Sequence, residues 1–522
     1  MIFISDILFC SILLFVFFST ISLFNVKRHR STSKNQIQHP PSPPSLPLIG
    51  HLHLLGPKLV KSIQALEERY GPLIRLRLGS KSSSIIVSNA IIAKEILKDN
   101  EMNFVSRHES GSSKFNIYAG YSFIFAEYGT YWRFMKKLCM TELLSTQQVN
   151  RFTDIRREER IKLLETLVNC SQEGKACDIR VQLVKLTNNV ICRMTMSTTC
   201  SGSEDEAKLV WEFVKGTEQL ILKFLMTDEL LGPLSKLDLF GYGKRLKSLT
   251  IKLDNLLEKI MAEHENNEMN SCKKDRKDIM DLLLEISRDE SSEVKLSRTN
   301  IKAFLTEIFT AGTDTTSVAL NWAIAELINH PQVFKKLREE IKTVVGATRL
   351  VEESDIPNLP YLQAVVKETL RLHPSATLTF RRCIQDCKIN GYDILANERV
   401  IIDLKAIMRD PNSWENPLDF QPERFMTNSE GRNDHYIMDF RGQNFKILPF
   451  GSRRRGCPGA SLALAVIHGT IATLVQCFDF KVPNGEKLNM EDGTGFTGAM
   501  VHPLLCYPIP HLNPLELTQK NL

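Results

Sequence analysis

The most constraining stretch of this sequence is a glycine-rich decapeptide, Phe450-Gly-Ser-Arg-Arg-Arg-Gly-Cys-Pro-Gly459. Its glycines allow the backbone to turn sharply and to approach a flat ligand closely. The apolar run that follows predicts a helix beginning at Pro458, because proline suits the first helical position. Cys457 then lies at a helix N-terminus, where the thiolate is favoured over the thiol. The alternative is a structural cysteine buried in a glycine-rich turn.

Arg455 lies two residues before this cysteine and offers a planar fork to a carboxylate. A thiolate beside a carboxylate-binding arginine suits an iron porphyrin, with the iron on sulfur and a propionate on the guanidinium. The remaining cysteines do not indicate another class of site. Twelve in 522 residues are too sparse for a disulfide scaffold, and the sequence holds no Cys-x-x-Cys pair.

The N-terminal segment from Ile7 to Val26 contains 20 residues without a charge. This length is enough to cross the ~30 Å hydrocarbon layer of a bilayer. A cleaved signal peptide is the alternative, but its apolar stretch is shorter, and here Lys27 and Arg28 follow as a basic flank that stays cytoplasmic. We therefore expect a single-pass membrane anchor at 1–30 with its helix at about 7–26, a basic and proline-rich hinge at 31–50, and one cytosolic catalytic domain at 51–522.

The body of the chain predicts a mainly α fold with a minor β part. Helical periodicity dominates from about residue 130 to 375, and short strands are predicted at Pro72–Leu78 and Ser84–Val87. Two polar stretches, Ser201–Glu206 and Glu265–Lys277, are predicted to be solvated loops. The formal net charge of +6 is too mild to indicate a nucleic-acid partner.

The decapeptide resembles the haem-binding signature of the cytochrome P450 family, Phe-x-x-Gly-x-Arg-x-Cys-x-Gly. Phe450, Arg455, Cys457 and Gly459 match it, whereas Arg453 replaces the glycine that is usual there. The resemblance implies the cytochrome P450 fold and a heme b cofactor. It further implies that the Cys457 thiolate is the iron ligand and that Phe450 and Arg455 bind the cofactor.

A second resemblance to this family lies in Glu368-Thr-Leu-Arg371, which matches its Glu-x-x-Arg motif. By the resemblance, Arg424 in Pro422–Phe425 completes a structural triad with Glu368 and Arg371. The two residues of the motif are i,i+3 neighbours on a predicted helix, where such a pair contributes only about 0.2–0.5 kcal/mol by itself. The motif is informative because it precedes Cys457 with Pro422–Phe425 between them, which is the order that the family has.

The resemblance also implies residues that bind the haem propionates. Trp132 and Arg133 match the family's Trp-Arg-x-x-Arg segment, in which Lys136 replaces the second arginine. Arg381 matches another propionate-binding position. Nearby, Thr377 occupies a position where the family usually has proline.

A polar hexapeptide, Ala311-Gly-Thr-Asp-Thr-Thr316, interrupts an apolar helix predicted from about Ser297–Asn300 to Pro331. Threonine and aspartate can divert backbone hydrogen bonds and open a local groove. In the family that groove holds dioxygen, and the acid–alcohol pair delivers protons, so the resemblance makes Asp314 and Thr315 catalytic residues. The alternative is an ordinary helix interface built from small residues.

The source of electrons is predicted to be another protein, because the sequence lacks a dinucleotide-binding loop in a strand–turn–helix context. NADPH would then act through a cytochrome P450 reductase at the endoplasmic reticulum membrane. A basic face is predicted on the cysteine side to meet that acidic flavoprotein. Its residues are Arg133, Lys136, Lys137, Lys446 and Arg453–Arg455.

The whole chain resembles plant microsomal A-type enzymes, near the flavone and isoflavone synthases, triterpene oxidases and strigolactone-modifying oxidases. The resemblance places an apolar substrate pocket at Phe304, Ile308, Ala311, Leu378 and Phe496. We expect a monooxygenase that oxidises a hydrophobic specialised metabolite, with a pentacyclic triterpenoid favoured. A flavonoid oxidase and a strigolactone-modifying oxidase are alternatives, as are a haem-thiolate isomerase or dehydratase and a haem-binding scaffold without turnover.

Overall fold

A computed structural model gives the architecture of the chain. It describes residues 37–519 except 48, 57–58, 80–81, 108–116, 198–203, 232–236, 270–275, 427–439, 441, 486 and 494–496. The fold is mainly α-helical with small sheets, as the sequence predicts. The predicted membrane anchor at 1–30 lies outside the described residues.

The helices are numbered here in chain order. They are α1 (Leu59–Tyr70), α2 (Ala90–Lys94), α3 (Thr130–Leu138), α4 (Thr146–Arg151), α5 (Thr153–Gln172), α6 (Ile179–Met196), α7 (Glu204–Leu231), α8 (Tyr242–Met269), α9 (Ile279–Arg288), α10 (Arg298–Asn329), α11 (Pro331–Val345), α12 (Pro360–Leu372), α13 (Leu404–Met408), α14 (Ala460–Cys477) and α15 (Pro514–Gln519). Short 3-10 turns include Glu353–Asn358 and Pro422–Phe425.

The strands form three small sheets. They are β1 (Leu73–Leu78), β2 (Ser82–Val87), β3 (Cys177–Asp178), β4 (Leu378–Arg382), β5 (Cys387–Ile389), β6 (Tyr392–Ile394), β7 (Arg399–Asp403), β8 (Phe478–Lys481) and β9 (Leu505–Pro510). The largest sheet has the order β1-β2-β7-β4, in which only β2 and β7 are parallel. The other sheets are β3-β9-β8 and β5-β6.

Helix α10 is the axis of the helical core. It begins with a reciprocal capping box between Ser297 and Asn300 and is followed directly by Pro331, so its predicted limits are confirmed. It packs against α6 and α14. Most of its second half is buried, including Trp322, and this apolar burial fixes its position relative to the rest of the domain.

Helix α14 differs from the prediction at its start. It begins at Ala460, with Gly459 as the N-cap, rather than at Pro458, because Pro458 and Gly459 belong to a preceding turn. Among the residues that the structure describes, α14 is also the one helix long and apolar enough to cross a membrane, but 67% of that window is buried. It is therefore a core helix.

The two polar stretches are partly helical, so their prediction as loops was wrong in part. Helix α7 begins at Glu204, inside the first stretch, and α8 continues to Met269, inside the second. Glutamate and lysine are good helix formers when they lie on a solvated face, and polarity alone therefore does not locate a loop.

The described part of the predicted hinge, residues 37–50, is bonded to the domain. The carbonyl of Pro41 accepts a hydrogen bond from Arg75 N at 2.8 Å, and Gly50 pairs with Leu78 of β1. Gly50 has a φ of +61°, and a Cβ there would lie 2.1 Å from the carbonyl oxygen of Arg77. Only glycine therefore permits this close approach.

A buried ion cluster fastens α5 to the turn before α12. Glu353 accepts two hydrogen bonds from Arg156, at 2.8 and 2.6 Å, and a third from Arg160 at 3.1 Å. Arg156 is only 1% exposed. Removing the carboxylate charge would therefore leave two desolvated guanidinium groups uncompensated.

We predict that Glu353→Gln lowers the free energy of unfolding by about 3–5 kcal/mol, the usual cost of breaking a buried ion pair. Urea unfolding of the haem-loaded protein measures this change. The matched control is Glu173→Gln, which removes the exposed Lys175–Glu173 pair and should change stability little. Equal losses of stability in the two variants would contradict the role of Glu353 as the counter-charge of Arg156 and Arg160.

Candidate functional site

The Cys457 loop is a compact turn held by its own backbone. Cys457 N donates to the carbonyl of Phe450 at 2.9 Å, and Gly456 N donates to the carbonyl of Arg453 at 3.0 Å. The Cys457 side chain is exposed, whereas Ser452 and Arg455 beside it are buried. Desolvation raises the pKa of this thiol above its ordinary value, and the Gly459 amide, Lys136 and Arg107 offset only part of that rise. The thiolate expected at a helix N-terminus is therefore not favoured by this loop alone, because the helix begins only at Ala460.

Arg455 lies inward under this loop. Its guanidinium donates to the carbonyls of Val105 at 2.7 Å and Ala126 at 2.6 Å, and it stacks over the Trp132 ring at 4.5 Å. Burial, followed by repulsion from Arg107, lowers the pKa of Arg455 to about 9. The predicted partners Arg455 and Trp132 therefore lie in direct contact.

Helix α3 holds three basic residues, of which Arg133 and Lys136 belong to the segment that resembles the propionate-binding motif. Arg133 is exposed, with its guanidinium 6.0 Å from the Tyr128 ring centroid, whereas Lys136 donates to the carbonyl of Gly456 at 2.6 Å. Residues i and i+4 share a helix face, so Lys136 lies on the side of buried Trp132 and Arg133 does not. Lys136 is therefore directed to the Cys457 loop, and the binding of the cofactor by Arg133 stays a prediction.

Two further arginines complete a buried cationic cluster. Arg381 of β4 is 2% exposed and donates to Thr379 Oγ1 and to its neighbour's carbonyl, at 3.0 and 2.8 Å. Arg107, which sequence reasoning missed, donates to the Ile124 carbonyl at 3.2 Å and keeps a buried Nε without a partner. Burial lowers the pKa of both groups, and Arg107 also interacts with the charge of Cys457.

We define the cationic cluster as Arg107, Lys136, Arg381 and Arg455. Glu307 is the carboxylate that offsets Arg107, while Glu101 acts on Arg381. Desolvated cations that outnumber the nearby carboxylates favour a ligand that carries negative charges. A haem fits this donor set, with the propionates at the arginines and the iron at the Cys457 sulfur.

Glu307 of α10 is a second residue that sequence reasoning missed. Its carboxylate accepts from Phe123 N at 3.0 Å and Ile124 N at 3.2 Å, and it bonds the Ser122 hydroxyl. Burial raises the pKa of Glu307 to about 7. Glu307 therefore holds the segment whose Ile124 carbonyl receives Arg107 and Arg455.

The polar hexapeptide lies in an uninterrupted part of α10. Thr315 Oγ1 donates to the Ala311 carbonyl at 2.6 Å, and Ser375 Oγ donates to the Thr315 carbonyl at 2.6 Å. A Cβ at Gly312 would lie 2.7 Å from Cδ1 of Ile191, so this glycine permits the close packing of α6. Ala311 is exposed although it lies in the middle of a core helix.

Asp314 faces α7 rather than the side of Thr315. Burial, followed by the charge of Glu218, raises the pKa of Asp314 to about 6. Oδ2 of Asp314 is buried without a hydrogen-bond partner. The two residues of the predicted acid–alcohol pair therefore have different neighbours.

The predicted substrate pocket is only partly assembled. Phe304 is 2% exposed and packs edge-on against Phe123, while Ile308 is half-buried against the same cluster. Leu378 instead belongs to the apolar cluster beneath the largest sheet. Phe496 lies outside the described residues.

The predicted structural triad is brought together. Arg371 donates to both oxygens of Glu368, at 2.7 and 2.8 Å, and Arg424 Nε donates to Glu368 at 3.1 Å. Arg371 and Glu368 are fully buried. Arg371 also donates to the carbonyl of Pro417, so the cluster fastens α12 to the segment that precedes the Cys457 loop.

A family model described as Cytochrome P450 matches residues 40–507 of this chain. The chain is 41% identical to the 3,9-dihydroxypterocarpan 6A-monooxygenase of Glycine max over 511 residues, which cover 96% of this chain and 98% of the relative. It is 42% identical to the beta-amyrin 24-hydroxylase of Glycine max over 485 residues, covering 92% and 94%.

A solved structure shares the fold. A zebra fish cytochrome P450 with progesterone aligns with a TM-score of 0.72 and 26% sequence identity, covering 87% of this chain and 99% of that chain.

Arg453, which replaces the usual glycine of the signature, adopts a φ of +55°. A side chain in this left-handed region costs roughly 1 kcal/mol, because its Cβ crowds the following carbonyl. The Arg453 side chain is 47% exposed and lies 3.8 Å from Glu101, which contributes little in return. The turn therefore keeps the shape that glycine favours while carrying an arginine.

We predict that Arg453→Gly raises the free energy of unfolding, by roughly 1 kcal/mol relative to Arg453→Ala, because glycine alone removes the left-handed strain. The alanine variant loses the same side chain and serves as the control. Urea unfolding of the two haem-loaded variants measures the difference. A glycine variant that is less stable than the alanine variant would contradict a strained turn.

Proposed function

Because this chain belongs to the cytochrome P450 family and is a monooxygenase of that family, we propose that it oxidises a pentacyclic triterpenoid with dioxygen. The observation that carries the reaction class is the cationic cluster around Cys457. Two carboxylates act on its four buried or half-buried cations, Glu307 on Arg107 and Glu101 on Arg381. The substrate class is supported by the relative that acts on beta-amyrin.

The cofactor in this proposal is heme b. When bound, haem supplies the iron at which dioxygen is activated for insertion into a C–H bond. Cys457 would hold the iron, with Trp132 and Phe450 beside the loop that carries it. Arg107, Arg381 and Arg455 would hold the propionates, and Lys136 fixes the carbonyl of Gly456.

Proton delivery is assigned to Asp314 and Thr315. The Thr315 hydroxyl donates to the Ala311 carbonyl, so its oxygen remains able to accept a hydrogen bond from the substrate side. Asp314 has a raised pKa of about 6 and can exist as a neutral acid that donates a proton. Exposed Ala311 leaves room beside these two groups.

Electrons would come from NADPH through a partner reductase. The exposed cations near the Cys457 loop are Arg133, Lys137, Lys446, Arg453 and Arg454. Lys136 is half-buried and Arg455 buried, so the basic face is smaller than the sequence predicts. It remains suitable for an acidic flavoprotein, and the apolar segment 7–26 would anchor the chain in the endoplasmic reticulum membrane.

The apolar side chains on α10 support the choice of a triterpenoid as the substrate. Half-buried Ile308 and exposed Ala311 lie along α10, and they would contact a hydrocarbon skeleton rather than a strongly polar molecule, while Phe304 packs against Phe123. A flavonoid-type substrate is the second candidate, because the relative that acts on a dihydroxypterocarpan covers as much of this chain.

The proposed function is tested with the full chain in microsomes. We expect beta-amyrin to be hydroxylated when NADPH and reductase are both present, and not when reductase is omitted. Reduced protein treated with CO should show the red-shifted absorption band of thiolate ligation, and Cys457→Ser should lose it. Oxidation of 3,9-dihydroxypterocarpan instead of beta-amyrin would favour the second substrate class, and a wild type without the thiolate band would overturn the haem assignment.

The role of Thr315 is tested by stoichiometry. We predict that Thr315→Ala still binds haem but forms less product per NADPH consumed and releases more peroxide, with the product rate falling by roughly a hundredfold. Thr310→Ala is the matched control, because Thr310 donates in the same way to the carbonyl four residues earlier. Equal coupling in wild type and Thr315→Ala would mean that this hydroxyl only packs the helix.

A further inference from the structure

A serine outside α10 bonds the backbone of that helix at Thr315. Ser375 lies between α12 and β4, and its hydroxyl donates to the Thr315 carbonyl at 2.6 Å. The helix is continuous at this point, so the serine is an additional donor to a carbonyl that also accepts within the helix. The two residues are 60 positions apart in the chain. The bond therefore ties α10 to a separate segment of the fold.

We propose that Ser375 is a positioning residue that fixes where the Thr315 hydroxyl lies in the site. This inference rests on the proposed function, in which Thr315 takes part in proton delivery. Ser375 acts on Thr315 through the backbone carbonyl, and it takes no part in the proton transfer itself.

The Thr315 side chain has little freedom of its own. Its Oγ1 donates to the Ala311 carbonyl at 2.6 Å, which sets the rotamer of the side chain on the helix. The place of the hydroxyl in the site then follows the place of this turn of α10. A contact that holds the backbone of the turn therefore also holds the hydroxyl.

Packing restrains this turn of α10 on one side more than on the other. Towards α6, Gly312 lies close against Ile191. Elsewhere on the same turn, Ala311 is exposed and Thr315 is only half-buried, so packing restrains the helix less there. The hydrogen bond from Ser375 supplies a directional restraint, which apolar contacts do not.

The segment that carries the serine is itself held at both ends. His373 stacks on the Trp322 ring with 3.9 Å between the ring centroids, and its Nε2 is hydrogen-bonded to Glu326 at 2.6 Å. At the other end, the carbonyl of Thr377 accepts from Leu404 N of α13 at 2.9 Å. The segment is therefore a firm point of attachment for α10.

The backbone of Ser375 makes a second connection. Its carbonyl accepts from Gly498 N at 3.0 Å, and the Gly498 carbonyl accepts from the indole of Trp322 at 2.5 Å. Trp322 lies about two turns beyond Thr315 on α10, so these contacts form a closed ring. Removing the serine hydroxyl opens this ring at Thr315 alone and leaves its other contacts in place.

The first experiment counts product and peroxide per NADPH consumed, with beta-amyrin and reductase. We expect Ser375→Ala to retain haem but to form about fivefold less product per NADPH and more peroxide, because one net hydrogen bond changes an equilibrium by about this factor. The matched control is Ser317→Ala. Its hydroxyl donates to the Asp314 carbonyl at 2.8 Å within α10, so the control should keep the wild-type ratio. An equal fall in the two variants would overturn the inference.

The second experiment tests whether Ser375 acts through Thr315. The product ratio is measured in Thr315→Ala and in the double variant Thr315→Ala/Ser375→Ala. A serine that only positions the Thr315 hydroxyl has no further effect once that hydroxyl is gone, so the two ratios should be equal. A further fall in the double variant would mean that the serine stabilises the site independently of Thr315, which would contradict the proposal.

The third experiment reads the bond without turnover. Amide hydrogen exchange of the haem-loaded protein is followed by mass spectrometry. Ser375→Ala should speed exchange in peptides that cover Thr315 by about fivefold, whereas peptides from α14 should exchange as in the wild type. Unchanged exchange around Thr315 would mean that the serine does not restrain the helix, and the inference would fail.

Failure of the two proposals is distinguishable. A wild type without reductase-dependent NADPH consumption would contradict the proposed function, while hydrogen exchange would still report the bond. An active wild type in which Ser375→Ala keeps the wild-type product ratio would overturn the inference alone, whatever its exchange rates.

Discussion

The structure depends on bringing several positive charges out of water beside one cysteine. Burying an isolated cation is costly, and the cost is reduced here by backbone carbonyls and by the charges of Glu307 and Glu101. Arg455 is bonded by Val105 and Ala126, and Arg107 by Ile124 and the charge of Glu307. The remaining donor capacity of this cluster would suit the carboxylates of a haem.

Helix α10 connects this cluster to the rest of the site. In its first half, Glu307 holds the segment that receives the arginines, and Ala311 and Thr315 follow one and two turns later. Further along, Glu326 bonds His373 at 2.6 Å, which fixes α10 against the end of α12. A shift of this helix would therefore disturb cofactor binding and proton delivery together.

The sequence predicts the parts of the site that short motifs carry. The Cys457 loop, the Glu368–Arg371 pair and the limits of α10 follow from local spacing and capping. Helix periodicity also predicts that Lys136 shares a helix face with Trp132, as the structure has it. Matching the motif by residue type alone does not use this information.

Other features depend on contacts between distant segments, which single-sequence patterns do not report. Arg107 lies in irregular backbone with no motif around it, and Glu307 looks like a polar residue on the solvated side of a helix. The hydrogen bond of Glu218 likewise joins α7 to Thr497, a residue far away in the sequence. The early start of α7 and the late start of α14 show that polarity and proline position locate helix ends only approximately.

If the cationic cluster binds the carboxylates of haem, neutralising those carboxylates should weaken haem binding. The most direct measurement compares the affinity of haem-free protein for haem and for haem dimethyl ester, in which both propionates are neutral. We predict that the ester binds far more weakly and that Arg381→Leu weakens haem binding but changes ester binding little. Equal affinity for haem and its ester in the wild type would contradict the account.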